Sequence, residues 1–381
     1  MPVPFFRPSI GDEEISAVVE CLQSGWLTTG PKTREFEEQF AAVIGGGVHA
    51  LAVNSATAAL HLGIDALGIG SGDEVIVPTL TFTATAEVVR YVGATPVFVD
   101  CDPETLCIDP KAVEAAITER TRLIMPVHFA GRMCDMTALR EIADRHGLKI
   151  LDDAAHALPA SHLGRSVGLA GSDATAFSFY ANKTMTTGEG GMLVTRDAEL
   201  VGRARIMRLH GIDRDVFNRF TDPRANWMYD VVAPGYKYNL TDIASAMGIV
   251  QLARHQDFAD RRTALAARYD NALADLPLIL PPHPAPDDTH SWHLYIVQVA
   301  ASSKVDRDEL IAGLRERGIG TSVHYRPLHQ MRFWSSYCEG HTFPAADAYF
   351  DRCVSLPLFM AMSEDEQDEV IEAVRSVMCD G

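Results

Sequence analysis

The feature that most constrains the fold is an alternation that runs through most of the first 250 residues. Short apolar runs give way repeatedly to amphipathic stretches of helical period. An apolar run too short for a helix and bounded by turn residues reads as a strand, and a helical stretch between two such runs provides the crossover to a parallel neighbour. The pattern is therefore that of a mainly parallel α/β sheet. Strands are expected at 48–53, 74–77, 96–99, 123–127 and 149–151, with helices at 56–67, 82–92, 110–117 and 136–146. Ile15, Val18, Val19 and Leu22 recur at helical spacing behind the acidic turn Asp12-Glu13-Glu14, so a helix begins near Gly11. Beyond residue 171 the expected order is strands at 174–179 and 192–195, then a helix from 198 to about 209. The stretch 211–235 has mixed charge and two prolines and reads as a long ordered loop, a kind of segment that tends to be functional.

A long helix is expected over 241–272, followed by the Pro-rich run Leu-Pro-Pro-His-Pro-Ala-Pro at 280–286. A smaller α+β unit comes next, with strands at 292–299 and 320–324 and helices at 306–317 and 364–377. The organisation implied is a large domain over residues 1–250 with an N-terminal arm, then a spine helix and small C-terminal domain over 251–381.

Charge limits the partners. With 33 Lys+Arg against 51 Asp+Glu the net charge is −18, the wrong sign for gripping nucleic acid or an anionic membrane over a broad face. An anionic ligand must then meet a local positive pocket. A hydrophobic fraction of 47% excludes a disordered or fibrous chain. The seven cysteines are scattered, odd in number and without Cys-x-x-Cys or Cys/His ligand spacing, so no metal site and a reduced, cytoplasmic setting are expected. Residues 1–7 hold no apolar stretch and no window approaches 18 uninterrupted apolar residues, so neither secretion nor a membrane span is expected.

Three strand ends carry candidate chemistry. The first is Phe177-Ser-Phe-Tyr-Ala-Asn-Lys183, running on through Thr-Met-Thr-Thr-Gly-Glu-Gly to Gly191. A lysine just beyond an apolar strand, inside a Ser/Thr/Gly-rich turn, suits a Schiff-base nucleophile, because partial burial frees the amine lone pair. A solvated loop lysine is the other reading. In Ile150-Leu151-Asp152-Asp153-Ala154-Ala155-His156 a strand ends in two acids at the position where α/β sheets bind ligands. An acid there can keep a pyridine nitrogen protonated, although Asp152 and Asp153 also suit a helix N-cap. In Val53-Asn54-Ser55-Ala56-Thr57 small residues open a helix whose free N–H groups suit a phosphate, and they equally suit an ordinary cap. Phe82 lies near the same edge and suits either stacking on a planar ring or a core position.

Taken together, these segments resemble the DegT/DnrJ/StrS family of sugar aminotransferases. The likeness extends over Ser24-Gly-Trp-Leu-Thr-Thr-Gly-Pro31, Asn54 to Ala59, Gly72-Asp-Glu-Val75, Asp153-Ala-Ala-His156, Ser178 to Gly191, Gly235-Tyr-Lys-Tyr-Asn-Leu-Thr-Asp242 and Gly318 to Tyr325. The resemblance implies the type I fold of aspartate aminotransferase and pyridoxal 5'-phosphate as cofactor. It implies that Lys183 binds the cofactor and then moves the proton, that Asp153 pairs with the pyridine nitrogen and that His156 meets the phenolic oxygen. It places Ala56, Thr57 and Ser178 at the phosphate and Phe82 on the ring. Lys237 stands where most relatives carry an Asn that reaches the cofactor phosphate across a homodimer interface; the same Lys occurs in the branch that includes UDP-4-amino-4-deoxy-L-arabinose aminotransferase, which this sequence resembles more than it does other branches. Family members that have become dehydratases carry His in place of the lysine, and Lys183 argues against that activity here.

The function implied is transfer of the amino group of L-glutamate, which becomes 2-oxoglutarate, to the C4 keto carbon of a nucleotide-diphosphate sugar, with a UDP-4-keto-pentose as first expectation. A UDP-4-keto-6-deoxy-N-acetylhexosamine or a dTDP/GDP-4-keto-6-deoxyhexose is the alternative, which Trp227-Met-Tyr229 resembles in part. A catalytically silent binding or regulatory protein is the alternative of a different class. Lys237 and Arg326, then Arg219 and Arg332, are the cations expected to meet the nucleotide diphosphate. Thr29, His324 and His329 are expected to line the sugar site.

Overall fold

The structure, a computed structural model, describes residues 2–213 and 229–380. Seven strands form the main sheet: β1 (His49–Val53), β2 (Glu74–Pro78), β3 (Thr95–Val99), β4 (Thr121–Ile124), β5 (Lys149–Asp153) and, after a short hairpin of β6 (Ser161–His162) and β7 (Arg165–Ser166), β8 (Ala174–Ser178) and β9 (Gly191–Thr195). Their order is β1-β9-β8-β5-β4-β2-β3. Every pairing from β8 to β3 is parallel, and β9 alone runs against both of its neighbours. The mainly parallel sheet read from the alternation is present. Its physical basis is visible in β2, where Val75, Ile76 and Val77 are wholly buried and so leave no polar face to alternate.

Helices Ala56–Ala66, Met136–His146 and Ala198–Met207 begin at side-chain caps, Ser55 Oγ accepting from Ala58 N, Asp135 from Ala138 N and Asp197 from Glu199 N and Leu200 N. Helix Pro31–Ile44 was not anticipated. Its signals were Pro31 in the first turn and the spacing of Phe36, Phe40 and Ile44, all buried. Its start is held by the buried Asp242 carboxylate, which accepts from Gly30 N at 2.7 Å and from Thr33 N at 2.9 Å. Asp152 and Asp153 lie inside β5 and cap no helix.

Two further readings need correction. The expected helix over 241–272 is two helices, Asp242–Ala253 and His255–Leu273, broken at Arg254, whose guanidinium bonds the buried Glu14 at 2.8 Å. Stretch 320–324 is no strand. It forms a single bridge from Ser322 to Ser355, and the adjacent His324 and Tyr325 line the cavity described below. The second core packs around β10 (Leu278–Ile279), β11 (Tyr295–Val299) and β12 (Cys353–Leu356), an antiparallel sheet with helices Arg307–Glu316 and Glu364–Asp380. Val3 pairs with Ile319, tying the N-terminal stretch to this second core.

The reversal at β9 sets one residue apart. Gly191 faces Val53 of β1 and Ser178 of β8 at the carboxyl edge of the sheet. A Cβ at Gly191 would stand 2.5 Å from the carbonyl carbon of Ser55 and 2.7 Å from Ala56 N, backbone atoms that cannot give way cheaply. Gly191→Ala is expected to destabilise the fold by about 1–3 kcal/mol, the usual cost of overpacking, measured as a shift in chemical unfolding. An unchanged midpoint would mean that the Ser55 turn is not held against β9.

Candidate active site

The carboxyl ends of β1, β2, β5 and β8 and the start of β9 converge on a cavity of about 440 Å³. It brings together Ala56, Thr57, Phe82, Asp153, His156, Ser178, Lys183 and His324 from the expected set, with Tyr325 added by the structure. Lys183 arrives from the turn between β8 and β9, where Lys183 N donates to Tyr180 O at 3.0 Å. Asp153 ends β5, the parallel neighbour of β8, so the strand pairing itself carries acid and amine to one edge.

Electrostatics distinguishes the two. Burial of Lys183 pulls its ammonium down to about 8, and the opposing pull of Asp153 is the smaller effect. Asp153 is buried too, which raises its carboxyl above the usual range. Its ionised form is favoured by Thr85 Oγ1, donating to Oδ2 at 2.8 Å, and by Ala155 N, donating to Oδ1 at 3.2 Å. Thr81 in turn meets Thr85, hydroxyl to hydroxyl, at 2.9 Å. Sequence reading missed Thr85 although it lies three residues from Phe82, because only the helical turn at 84–91 brings its hydroxyl to β5.

Three imidazoles surround the amine. His156 Nε2 meets the Tyr325 hydroxyl at 3.1 Å, and His156 Nδ1 has no partner among the described residues. His324 Nδ1 meets Ser355 Oγ at 2.7 Å. His293, which the sequence did not single out, brings Nε2 to 3.5 Å from Lys183 Nζ. Burial first, then the Lys183 charge, drives His156 and His293 well below the ordinary histidine range and His324 to about 4. All three are neutral at physiological pH. Phe82 is exposed and faces Tyr325 at 6.0 Å between ring centres.

The remaining expected residues lie elsewhere. Thr29 Oγ1 donates to Leu240 O at 2.5 Å and receives Asn239 Nδ2 at 2.7 Å, and the residue borders a separate cavity of about 500 Å³. Both nitrogens of His329 are engaged, Nδ1 with Thr79 Oγ1 and Nε2 with Asp347 Oδ1, each at 2.8 Å. Arg326 is exposed and donates to Gln330 O. Arg332 is also exposed and absent from the cavity lining. Lys237 is exposed, and its ammonium donates to Asn239 Oδ1 at 2.6 Å outside its own chain's cavity. Arg219, Trp227 and Met228 lie outside the described residues. No group of three or more metal-ligating side chains occurs among the described residues, and no helix there is long and apolar enough to cross a membrane.

Residues 8–375 match the DegT/DnrJ/EryC1/StrS aminotransferase family. The chain belongs to that family. It is 48% identical over 381 residues to the spore coat polysaccharide biosynthesis protein SpsC of Bacillus subtilis, covering 99% of this chain and 97% of SpsC. Among solved structures it resembles Spr1654 of Streptococcus pneumoniae, described as a sugar aminotransferase, in its PMP form, with 36% identity, TM-score 0.92 and 99% of each chain covered. It also resembles PseC of Helicobacter pylori, an aminotransferase involved in the biosynthesis of pseudoaminic acid, with 29% identity, TM-score 0.91 and 100% of each chain covered.

The chain is accordingly a pyridoxal-phosphate-dependent sugar aminotransferase with the fold expected of one. Its cavity fits the cofactor on structural grounds. It offers a desolvated amine for an aldehyde, a buried carboxylate for a ring nitrogen, an unpartnered imidazole nitrogen for an oxygen and a helix start for a phosphate. Only free amine attacks an aldehyde, so cofactor uptake by the apoprotein is expected to quicken with rising pH and to level off above about 8. Stopped-flow absorbance of cofactor uptake checks this. A midpoint near the ordinary lysine value would show that the amine is not desolvated.

Proposed function

We propose that the chain moves the amino group of L-glutamate to the C4 keto carbon of a nucleotide-diphosphate sugar, in two half-reactions at this cavity. The observation that carries the reading is a desolvated amine and a buried carboxylate in one cavity at the N-terminus of helix Ala56–Ala66. When bound, pyridoxal phosphate supplies an electron sink for the pair left when a proton leaves carbon. Asp153, steadied by Thr85 and Ala155 N, holds the proton of the pyridine nitrogen. His156 offers its unpartnered Nδ1 to the phenolic oxygen, and Ala56, Thr57 and Ser178 hold the phosphate. Phe82 would cover one face of the ring. With the cofactor held there, Lys183 Nζ would take the α-proton of glutamate and return it to a neighbouring carbon, one proton moved between two carbons. The amino group stays with the enzyme after 2-oxoglutarate leaves and before the sugar enters, so ping-pong kinetics follow.

On the sugar, a UDP-4-keto-pentose is our first reading, supported by Lys237 in Gly-Tyr-Lys-Tyr-Asn. A UDP-4-keto-6-deoxy-N-acetylhexosamine or a dTDP/GDP-4-keto-6-deoxyhexose is the second, supported by Trp227-Met-Tyr229. His324 lines the cavity and remains our candidate for the substrate side. A panel of 4-keto nucleotide sugars with L-glutamate, read as 2-oxoglutarate formed, distinguishes the two. Turnover is expected with at least one member and to vanish in Lys183→Ala. Turnover that survives Lys183→Ala would overturn the reading.

We also propose a homodimer in which Lys237 serves the partner's cavity. What supports this is its exposed ammonium, which reaches Asn239 instead of its own chain's site. Lys183→Ala and Lys237→Ala chains, each weak or inactive alone, are expected to regain activity when mixed and refolded, because one of the two sites in a mixed dimer is then intact. No regain over the separate variants would rule out the shared site.

A further inference from the structure

His293 belongs to no motif that points to the family, yet its surroundings hold it with unusual firmness. On one side the turn Phe129–Gly131 takes Ser291 N onto Gly131 O at 3.1 Å and Leu294 N onto Ala130 O at 3.2 Å. A Cβ on Gly131 would meet Ser291 Oγ at 2.2 Å and His293 N at 3.1 Å, so the two segments touch at backbone distance. On the other side the buried Arg262 donates to Trp292 O, His293 O and Leu358 O at 3.0, 3.3 and 3.0 Å. Trp292 between them adopts φ +49°, a left-handed conformation costly for a bulky residue and kept only where the surroundings impose it.

The clamp aims one imidazole. The His293 ring packs on His156 at 4.4 Å and presents Nε2 to Lys183 Nζ, while its Nδ1 is buried without a partner among the described residues. After burial, the largest influences on it are the charges of Lys183, His156, Arg262 and His324. A neutral primary amine has two N–H bonds and one lone pair. An acceptor on one N–H denies that position to the lone pair and so narrows the directions in which it can point.

We infer that His293 is a positioning residue: its Nε2 accepts an N–H of the free Lys183 amine and leaves the lone pair aimed into the cavity. The inference rests on the proposed role of Lys183 as the group that moves the proton, and it applies to the part of the cycle when the lysine has let go of the cofactor. Because burial and the nearby ammonium keep the imidazole neutral, His293 orients the amine and does not take its proton.

The test separates the contact from the chemistry. In apoprotein, the pH dependence of Lys183 acylation, read by mass spectrometry of its peptide, reports the contact without turnover. His293→Leu removes the acceptor for the ammonium, so the labelling midpoint is expected to fall, and His293→Gln, which keeps an acceptor, to restore it. In the loaded enzyme, His293→Leu is expected to lower kcat tenfold or more with KM for glutamate little changed. The isotope effect with α-deuterated glutamate should rise as proton transfer becomes limiting. Should His293→Leu not fold, His293→Asn is too short to reach the amine and carries the same readings. A midpoint and isotope effect equal to wild type in a folded variant would overturn the inference. If Lys183→Ala still turned over, the proposed function would fail whatever the labelling showed.

Discussion

The parallel pairing of β5 with β8 is the constraint on which the site depends. Asp153 is the last residue of one strand and Lys183 follows the end of the other, so two residues well separated in the chain come to line one cavity once Asp153 lies opposite Ala176. The turn that carries Lys183 is then led straight back into the sheet by β9, the one strand that opposes its neighbours. Gly191 makes that return possible, since any side chain there would strike the backbone that opens helix Ala56–Ala66. Amine, acid and helix start are thus products of one local arrangement of strands.

An acidic chain of net charge −18 is at first sight a poor host for anionic ligands. The cavity answers this without a cluster of cations. Its positive features are one ammonium, lowered by burial, and the dipole of a helix start. The histidines around Lys183 add no charge, because burial beside an ammonium strongly favours their neutral forms. The result is an environment in which Lys183 is the group able to gain or lose a proton near neutrality. A charged imidazole beside it would compete for that part.

Much of this was legible in the chain itself. Strand ends were readable because apolar runs stop where the sheet stops, and Asn54 to Thr57, Asp153 and Ser178 to Lys183 all sit at such stops. What the sequence could not convey was direction. Arg326 and His329 follow His324 and Tyr325 closely in the chain, yet the backbone turns His329 toward Thr79 and Asp347 and Arg326 toward Gln330 O. Thr29 likewise spends its hydroxyl on Leu240 O. The break falls at Arg254, which bonds the buried Glu14, 240 residues upstream. A distant ion pair leaves no local period to read. His293 was hidden for the same reason, as a single imidazole at the start of an apolar strand whose partner lies 110 residues away.

Arg262 shows how the second core serves the site without touching it. A guanidinium buried this deeply ordinarily recruits a carboxylate, because an unpaired buried charge is costly. Here three carbonyl oxygens bind Nη1, Nε has no partner among the described residues, and burial lowers the group to about 10. A carboxylate in that place would satisfy Arg262 better. It would also set a negative charge behind His293, raise the affinity of the nearby imidazoles for protons and strengthen the hold of Lys183 on its own. Carbonyl dipoles fix the 292–293 backbone while adding no charge that favours the ammonium. The imperfect pairing of Arg262 is therefore consistent with a site whose working form is the free amine, with Asp153 as the acid that faces it.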